Sequence, residues 1–144
     1  MILPDINLLV FAHDSGCPLH SRARRWWDDA LAGSEGIGLA WITLLGLIRV
    51  STHPAILHHP MTSEEICSRI EEWLELPHVH IPHPAENHFS RLRKNLHSLG
   101  TAGNLTTDAH LATLAIERGY TLCSNDADFS RFPGLKWKNP LATD

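Results

Sequence analysis

The 144-residue sequence has little cysteine, no long apolar run and no excess of basic residues. Its three cysteines, Cys17, Cys67 and Cys123, are far apart and form no Cys-x-x-Cys pair, which argues against a disulfide framework or a thiolate zinc site. No run of about 18 apolar residues is present to span a bilayer, and no basic residue precedes the apolar stretch at the N-terminus. We therefore expect a soluble protein of the reducing cytoplasm.

The charge balance excludes a generally basic nucleic-acid-binding protein. Lys and Arg number 12 against 16 Asp and Glu, so the formal net charge is −4. A field of this sign weakly repels phosphate. Any nucleic acid must therefore be bound by a local basic patch or through bridging cations.

The apolar pattern predicts a single α/β domain. Short apolar runs bounded by turn residues predict strands at Ile2–Leu3, His78–Ile81, Tyr120–Ser124 and Leu135–Trp137. Helical spacing or composition predicts helices over Pro18–Ala32, Leu39–Val50, Ala85–Leu99 and Leu105–Arg118, with another after the capping-box pattern at Thr62 and Glu65. Strands that alternate with helices indicate three layers, with a mostly parallel central sheet flanked by helices.

Three acids fall where such a fold builds its sites, at the carboxyl ends of the strands. Asp5 ends the first strand, Asp126 follows the strand at Tyr120–Ser124, and Asp108 lies in the first turn of the preceding helix. Clustered carboxylates raise one another's pKa unless a cation neutralises them. An all-oxygen set suits Mg²⁺ or Mn²⁺, which can assist hydrolysis of a phosphodiester. The pattern therefore predicts metal-assisted cleavage of a nucleic acid.

Some of these residues also have structural explanations, which the sequence leaves open. Asp108 is suited to interact with its helix N-terminus, and Asn125-Asp126 is suited to a turn. Asn7 and Asp128 are suited to capping the turns that follow them.

Basic and aromatic residues suggest where a nucleic acid would bind. Arg131, Lys136 and Lys138 lie near Phe132 and Trp137, a combination that can contact phosphates and stack on bases. Four tryptophans at helical positions are expected in the core or at an interface, with the core as the default: Trp26, Trp27, Trp41 and Trp73. Adjacent helical residues point in different directions, so one of Trp26 and Trp27 is suited to a surface that meets another chain.

At these residues the sequence resembles the PIN-domain ribonucleases, and specifically the VapC-type toxins of VapBC toxin-antitoxin pairs. Four segments carry the resemblance by their order and spacing: Leu3-Pro-Asp5-Ile-Asn7-Leu-Leu, Ile42-Thr-Leu-Leu-Gly-Leu-Ile-Arg49-Val, Thr107-Asp108-Ala-His-Leu-Ala112 and Ser124-Asn-Asp126-Ala-Asp128-Phe. The resemblance runs through nearly the whole chain and implies a single PIN-like ribonuclease domain over residues 1–144.

The resemblance also implies roles for individual residues. Asp5, Asp108 and Asp126 would hold Mg²⁺ or Mn²⁺, and Asp128 would be a further catalytic acid. Asn7, Ser124 and Asn125 would be the polar groups around them. The implied activity is an endoribonuclease toxin, and the implied partners are an RNA substrate, a VapB-type antitoxin and a second copy of the chain.

One departure from the family pattern concerns the helix predicted over Leu39–Val50. The family usually places a Glu near its start, at the position aligned with Leu44, and no Asp or Glu occurs between Glu35 and Glu64. This opens an alternative, a catalytically weak or inactive module that binds RNA or an antitoxin. It also predicts that Leu44→Glu raises metal affinity and turnover.

Overall fold

The computed structural model describes residues 1–100 and 102–143, apart from the side chain of Asn104. The strands are β1 (Ile2–Pro4), β2 (Ile37–Gly38), β3 (Val79–His80), β4 (Thr121–Cys123) and β5 (Lys136–Lys138). The helices are α1 (Ile6–His13), α2 (His20–Ala32), α3 (Trp41–Ser51), α4 (Ser63–Leu74), α5 (His88–Leu99) and α6 (Thr106–Arg118).

The strands form one parallel sheet in the order β3-β2-β1-β4-β5. β1 lies at the centre, with Leu3 opposite Leu122 of β4 and Ile2 opposite Ile37 of β2. The chain winds outward from β1 in both directions, so the strand order reverses there, which is where open α/β sheets form their ligand sites. The predicted three-layer α/β architecture is confirmed.

The two faces of the sheet are covered by separate groups of helices. Leu3 and Leu122 face a core that includes Ala109 and Ala112 of α6. Ile2 and Cys123, their strand neighbours, face the opposite core beside α1, α2 and α4. This alternation follows from the two-residue period of a strand.

Two elements were not predicted from the sequence. α1 is apolar on nearly every side, so it shows no helical period, and it begins directly after β1 because the Asp5 side chain accepts a hydrogen bond from the Ile6 amide as an N-cap. β2 has only two residues, too few for a strand pattern, although it pairs with both β1 and β3.

The tryptophans divide differently from the prediction. Trp27 and Trp73 are buried and pack edge-to-face with ring centroids 5.2 Å apart, and Trp26 is half-buried. Trp41, for which the sequence predicts the core or an interface, is 53% exposed at the start of α3. The exposed tryptophan is therefore on α3, because the apolar face of this helix turns toward the sheet and leaves its first residue outside.

No helix within the described residues is both long enough and apolar enough to cross a membrane.

Candidate active site

Asp5 is placed at the end of the central strand by the backbone itself. Its amide donates to the carbonyl of Cys123 at 2.8 Å, which continues the ladder between β1 and β4. Its side chain is only 6% exposed. One carboxylate oxygen, Oδ1, accepts from the Ile6 amide at 2.8 Å, and Oδ2 accepts from the Ser124 hydroxyl at 2.8 Å. Burial raises the pKa of Asp5 above its usual range, and these two hydrogen bonds oppose the rise.

Ser124 joins Asp5 to the segment that follows β4. Its buried hydroxyl donates to Asp5 and accepts from the Asp126 amide at 3.0 Å. Asp126 in turn accepts from the Asp128 amide at 2.9 Å and begins a short 3₁₀ turn over residues 127–131. The prediction that Asp126 belongs to a turn is therefore confirmed. The turn uses only one of its carboxylate oxygens, Oδ1.

Asp108 approaches the same place from the first turn of α6. It lies with Asp5 in the lining of one cavity of about 270 Å³. Partial burial, together with the negative charges of Asp5, Asp126 and Asp128, raises the pKa of Asp108 to about 6. The structure thus brings the three sequence-distant acids close enough to repel one another.

The third wall of the cavity is α3, and the sequence reasoning missed its role. Five α3 residues line it: Ile42, Thr43, Leu45, Gly46 and Arg49. Ile42, Leu45, Gly46 and Arg49 are spaced three or four residues apart, so they share one helical face, and Thr43 lies at its border. The helix approaches α1 so closely that a Cβ at Gly46 would stand 2.4 Å from Cδ1 of Ile6.

The donor set fits a hydrated Mg²⁺ or Mn²⁺ ion. Among residues 1–100 and 102–143, no three His, Cys, Asp or Glu side chains converge closely enough to enclose a metal. Mg²⁺ does not require such a cage, because it binds through one or two carboxylates and keeps several waters. Asp5 and Asp108 supply two carboxylates facing one cavity, and their mutual repulsion is what a divalent cation would relieve.

The other predicted site residues lie outside the cavity lining. Asp128 is exposed, and Asn7 and Asn125 are half-buried. The side chains of Asn7 and Asn125 form no hydrogen bond to the carboxylates in the part of the chain that the structure describes. Of the three outer polar groups, only Ser124 contacts a site carboxylate.

The predicted RNA-binding cations also lie outside this cavity. Arg131, Lys136 and Lys138 are exposed, and Lys138 faces a separate hollow beside Trp26 and Asp29. The cation that does line the cavity is Arg49. In the sequence it stands out only as the single charge of α3.

The expectation attached to Leu44 is wrong. Leu44 is 2% exposed and packs in the core with Leu8, Leu9 and Leu47. It lies on the face of α3 that points away from the cavity, since the lining positions are its neighbours Thr43, Leu45 and Gly46. A carboxylate at Leu44 would enter the core rather than bind a metal, so this residue does not support the inactive-module alternative.

The raised pKa of Asp108 has a consequence for stability. Between the ordinary pKa of 3.8 and about 6, the folded chain binds a proton more tightly than the unfolded chain. The metal-free protein therefore loses stability as pH rises through this window, and the loss persists above it. Asp108→Asn is expected to raise the melting temperature near pH 8 in EDTA but not near pH 4.

Thermal unfolding from roughly pH 4 to 8 measures this difference. Asp29→Asn, at an exposed position of α2, is the matched control and is expected to show no such trend. A melting-temperature difference that is the same at every pH would contradict the repulsion argument.

Comparison with known proteins identifies the family of the chain. The family model described as PIN domain matches residues 2–135. The chain is 40% identical over 141 residues to Ribonuclease VapC33 of Mycobacterium tuberculosis, covering 98% of this chain and 99% of the relative. It is 35% identical over 142 residues to Ribonuclease VapC37 of the same organism, covering 99% of each. These relatives are named ribonucleases, which does not favour the inactive alternative.

Known structures agree in fold. VapBC2 from Rickettsia felis, bound to a DNA fragment from its promoter, contains a chain that matches with a TM-score of 0.67 at 22% identity, covering 96% of this chain and 98% of that one. The Mycobacterium tuberculosis toxin VapC20, described as cleaving the sarcin-ricin loop, matches with a TM-score of 0.68 at 15% identity, covering 94% and 99%. The chain therefore belongs to the PIN domain family and, within it, to the VapC-type proteins.

Proposed function

We propose that this protein is the endoribonuclease toxin of a cytoplasmic VapBC pair and hydrolyses RNA with Mg²⁺ or Mn²⁺. The observation that supports this most is the shared cavity of Asp5 and Asp108, with Asp126 near enough to raise the pKa of both. Such repulsion is costly in a metal-free protein, and a divalent cation offsets it.

The chain's own residues would hold and orient the reacting groups. Asp5 and Asp108 would bind the cation, with Asp126 contributing charge and a free carboxylate oxygen. Ser124 keeps Asp5 in place by its 2.8 Å hydrogen bond. When bound, Mg²⁺ or Mn²⁺ supplies Lewis-acid stabilisation of the charge that develops on the phosphate and makes water a better nucleophile.

The reaction is a hydrolysis in which a water oxygen bonds to phosphorus and the bond from phosphorus to one ribose oxygen breaks. The leaving ribose oxygen gains a proton, so one RNA chain becomes two. The cavity of about 270 Å³ has room for a phosphate group with its water. Its lining also includes the apolar side chains of Ile6, Ile42 and Leu111.

An exposed apolar edge of the cavity supports a VapB-type partner. Trp41 and Leu45 are 53% and 57% exposed and lie one turn apart on α3, and Leu45 also lines the cavity. Contiguous exposed apolar patches mark interaction surfaces, and these two side chains are neighbours on one helical face. We propose that the antitoxin covers this edge in the complex, and that the chain also forms a homodimer, as its family resemblance implies.

Metal removal tests the proposed activity. Purified protein free of antitoxin is incubated with total cellular RNA in Mg²⁺, in Mn²⁺ or in EDTA. Cleavage is expected with either cation and is expected to disappear in EDTA. A well-folded protein that cuts no RNA with either metal would contradict the proposed function.

A further inference from the structure

Arg49 is the ionisable residue of α3, and the site described above gives it no task. It lies one turn after Leu45 and Gly46, on the same helical face, and lines the cavity with Asp5 and Asp108. Among the described residues, no other cation lines this cavity. A charged side chain is therefore directed to the reacting end of the molecule from a wall that has no acid.

The positive charge of Arg49 has no ion-pair partner within the described residues. The Arg49 side chain is exposed and makes no ion pair or hydrogen bond within residues 1–100 and 102–143. Among the described residues, no carboxylate pairs with Arg49. One wall of the cavity therefore carries a guanidinium without an ion pair, and the same lining includes the carboxylates of Asp5 and Asp108.

An RNA phosphate has the charge and shape to occupy that space. A guanidinium presents paired donors that match two oxygens of a phosphate, and it stays protonated at any working pH. The acids by themselves repel a phosphate, and the protein as a whole has a net charge of −4. A cation on the α3 wall gives the phosphate an attractive contact that the rest of the cavity lacks.

Resting on the proposed function, we propose that Arg49 binds the non-bridging oxygens of the RNA phosphate that enters the cavity. It would hold the phosphate against the carboxylate wall and stabilise the negative charge that grows on these oxygens during attack. Both binding and the chemical step depend on the same contact, so losing Arg49 changes KM and kcat together.

The binding test uses a fluorescent, randomised single-stranded RNA in EDTA, with Asp108→Asn as the parent so that no cleavage occurs. Adding Arg49→Gln is expected to weaken binding about tenfold and to reduce the salt dependence of log Kd by about 0.7. Arg49→Lys keeps the charge but loses the paired donors, and its affinity is expected between the two. A purely structural role would not change the salt dependence.

Arg25→Gln is the matched control, because Arg25 is also exposed on a helix but lines a different hollow, on α2. Its RNA affinity is expected to stay near that of the parent. Equal losses in Arg25→Gln and Arg49→Gln, or no RNA binding by the parent, would overturn the proposal. All variants are compared at matched thermal stability, which neither exposed substitution is expected to change appreciably.

Cleavage kinetics separate this proposal from the proposed function. With Mg²⁺ and no Asp108 substitution, Arg49→Gln is expected to raise KM and lower kcat. If the wild-type chain cleaves RNA and Arg49→Gln has the same KM and kcat, the proposed nuclease activity is retained and the role of Arg49 is overturned. Absence of cleavage by the wild-type chain would contradict the nuclease, while the EDTA binding series would still decide whether Arg49 contacts RNA.

Discussion

Replacing Asp108 by Asn is expected to reduce RNA cleavage by more than about a hundredfold, since loss of the outer partners of a metal ligand already costs ten- to hundredfold. Asn keeps the shape of the side chain but removes the charge that would attract the cation. Asp108 lines the cavity with Asp5, and the negative charges of Asp5, Asp126 and Asp128 contribute to its raised pKa. The rate of RNA cleavage in Mg²⁺ measures the effect.

Two further variants make this result specific. Ser124→Ala removes the hydrogen bond to Asp5 without removing a carboxylate, so a smaller loss, about tenfold, is expected. Asp29→Asn removes an exposed acid of α2 that does not line the cavity, so it should leave the cleavage rate unchanged. If Asp108→Asn cleaves RNA as fast as the wild type, the assignment of the cavity as the active site fails.

The second large effect is on stability. Leu44→Glu is expected to lower the free energy of unfolding by at least about 4 kcal/mol, because it removes a core leucine and buries an unpaired carboxylate. At this chain length the melting temperature would fall by more than about 10 °C. Thermal unfolding at neutral pH checks the prediction.

The adjacent residue provides the control for this substitution. Leu45→Glu makes the same chemical change one position along α3, where the side chain is 57% exposed. Its effect is expected to stay within about 0.5 kcal/mol. A stable Leu44→Glu protein with increased metal affinity would contradict the structure of α3 and restore the expectation from the alignment.

Much of the fold follows from local chemistry that the sequence displays. The capping box at Thr62 and Glu65 forms as the pattern indicates. Gly119 ends α6 with φ at +71°, a conformation that glycine adopts without strain. The rule that parallel sheets place their sites at the carboxyl ends of strands located Asp5 and Asp126 correctly relative to the sheet.

What the sequence did not show depends on orientation about a helix axis. α3 is apolar almost throughout, so its sequence alone does not say which side meets the core and which side lines the cavity. A shift of one residue separates Leu44 in the core from Leu45 at the cavity edge. The role of Arg49 was missed for the same reason. Its position one turn after Gly46 indicates a site residue only when that face of α3 is known to line the cavity.

The Asp5 side chain has two structural roles, one for each of its hydrogen bonds. Its Oδ1 atom starts α1, and its Oδ2 atom ties the central strand to the segment after β4. Among the described residues, Asp108 makes no comparable hydrogen bond, and its charge lowers the stability of the metal-free fold. We therefore expect lineages that lose catalysis to lose Asp108 early, with a gain in stability, while Asp5 is retained for its structural hydrogen bonds. In descendants that have lost activity, a retained Asp5 would indicate only that the fold is retained. A retained Asp108 would indicate that selection for RNA cleavage continues.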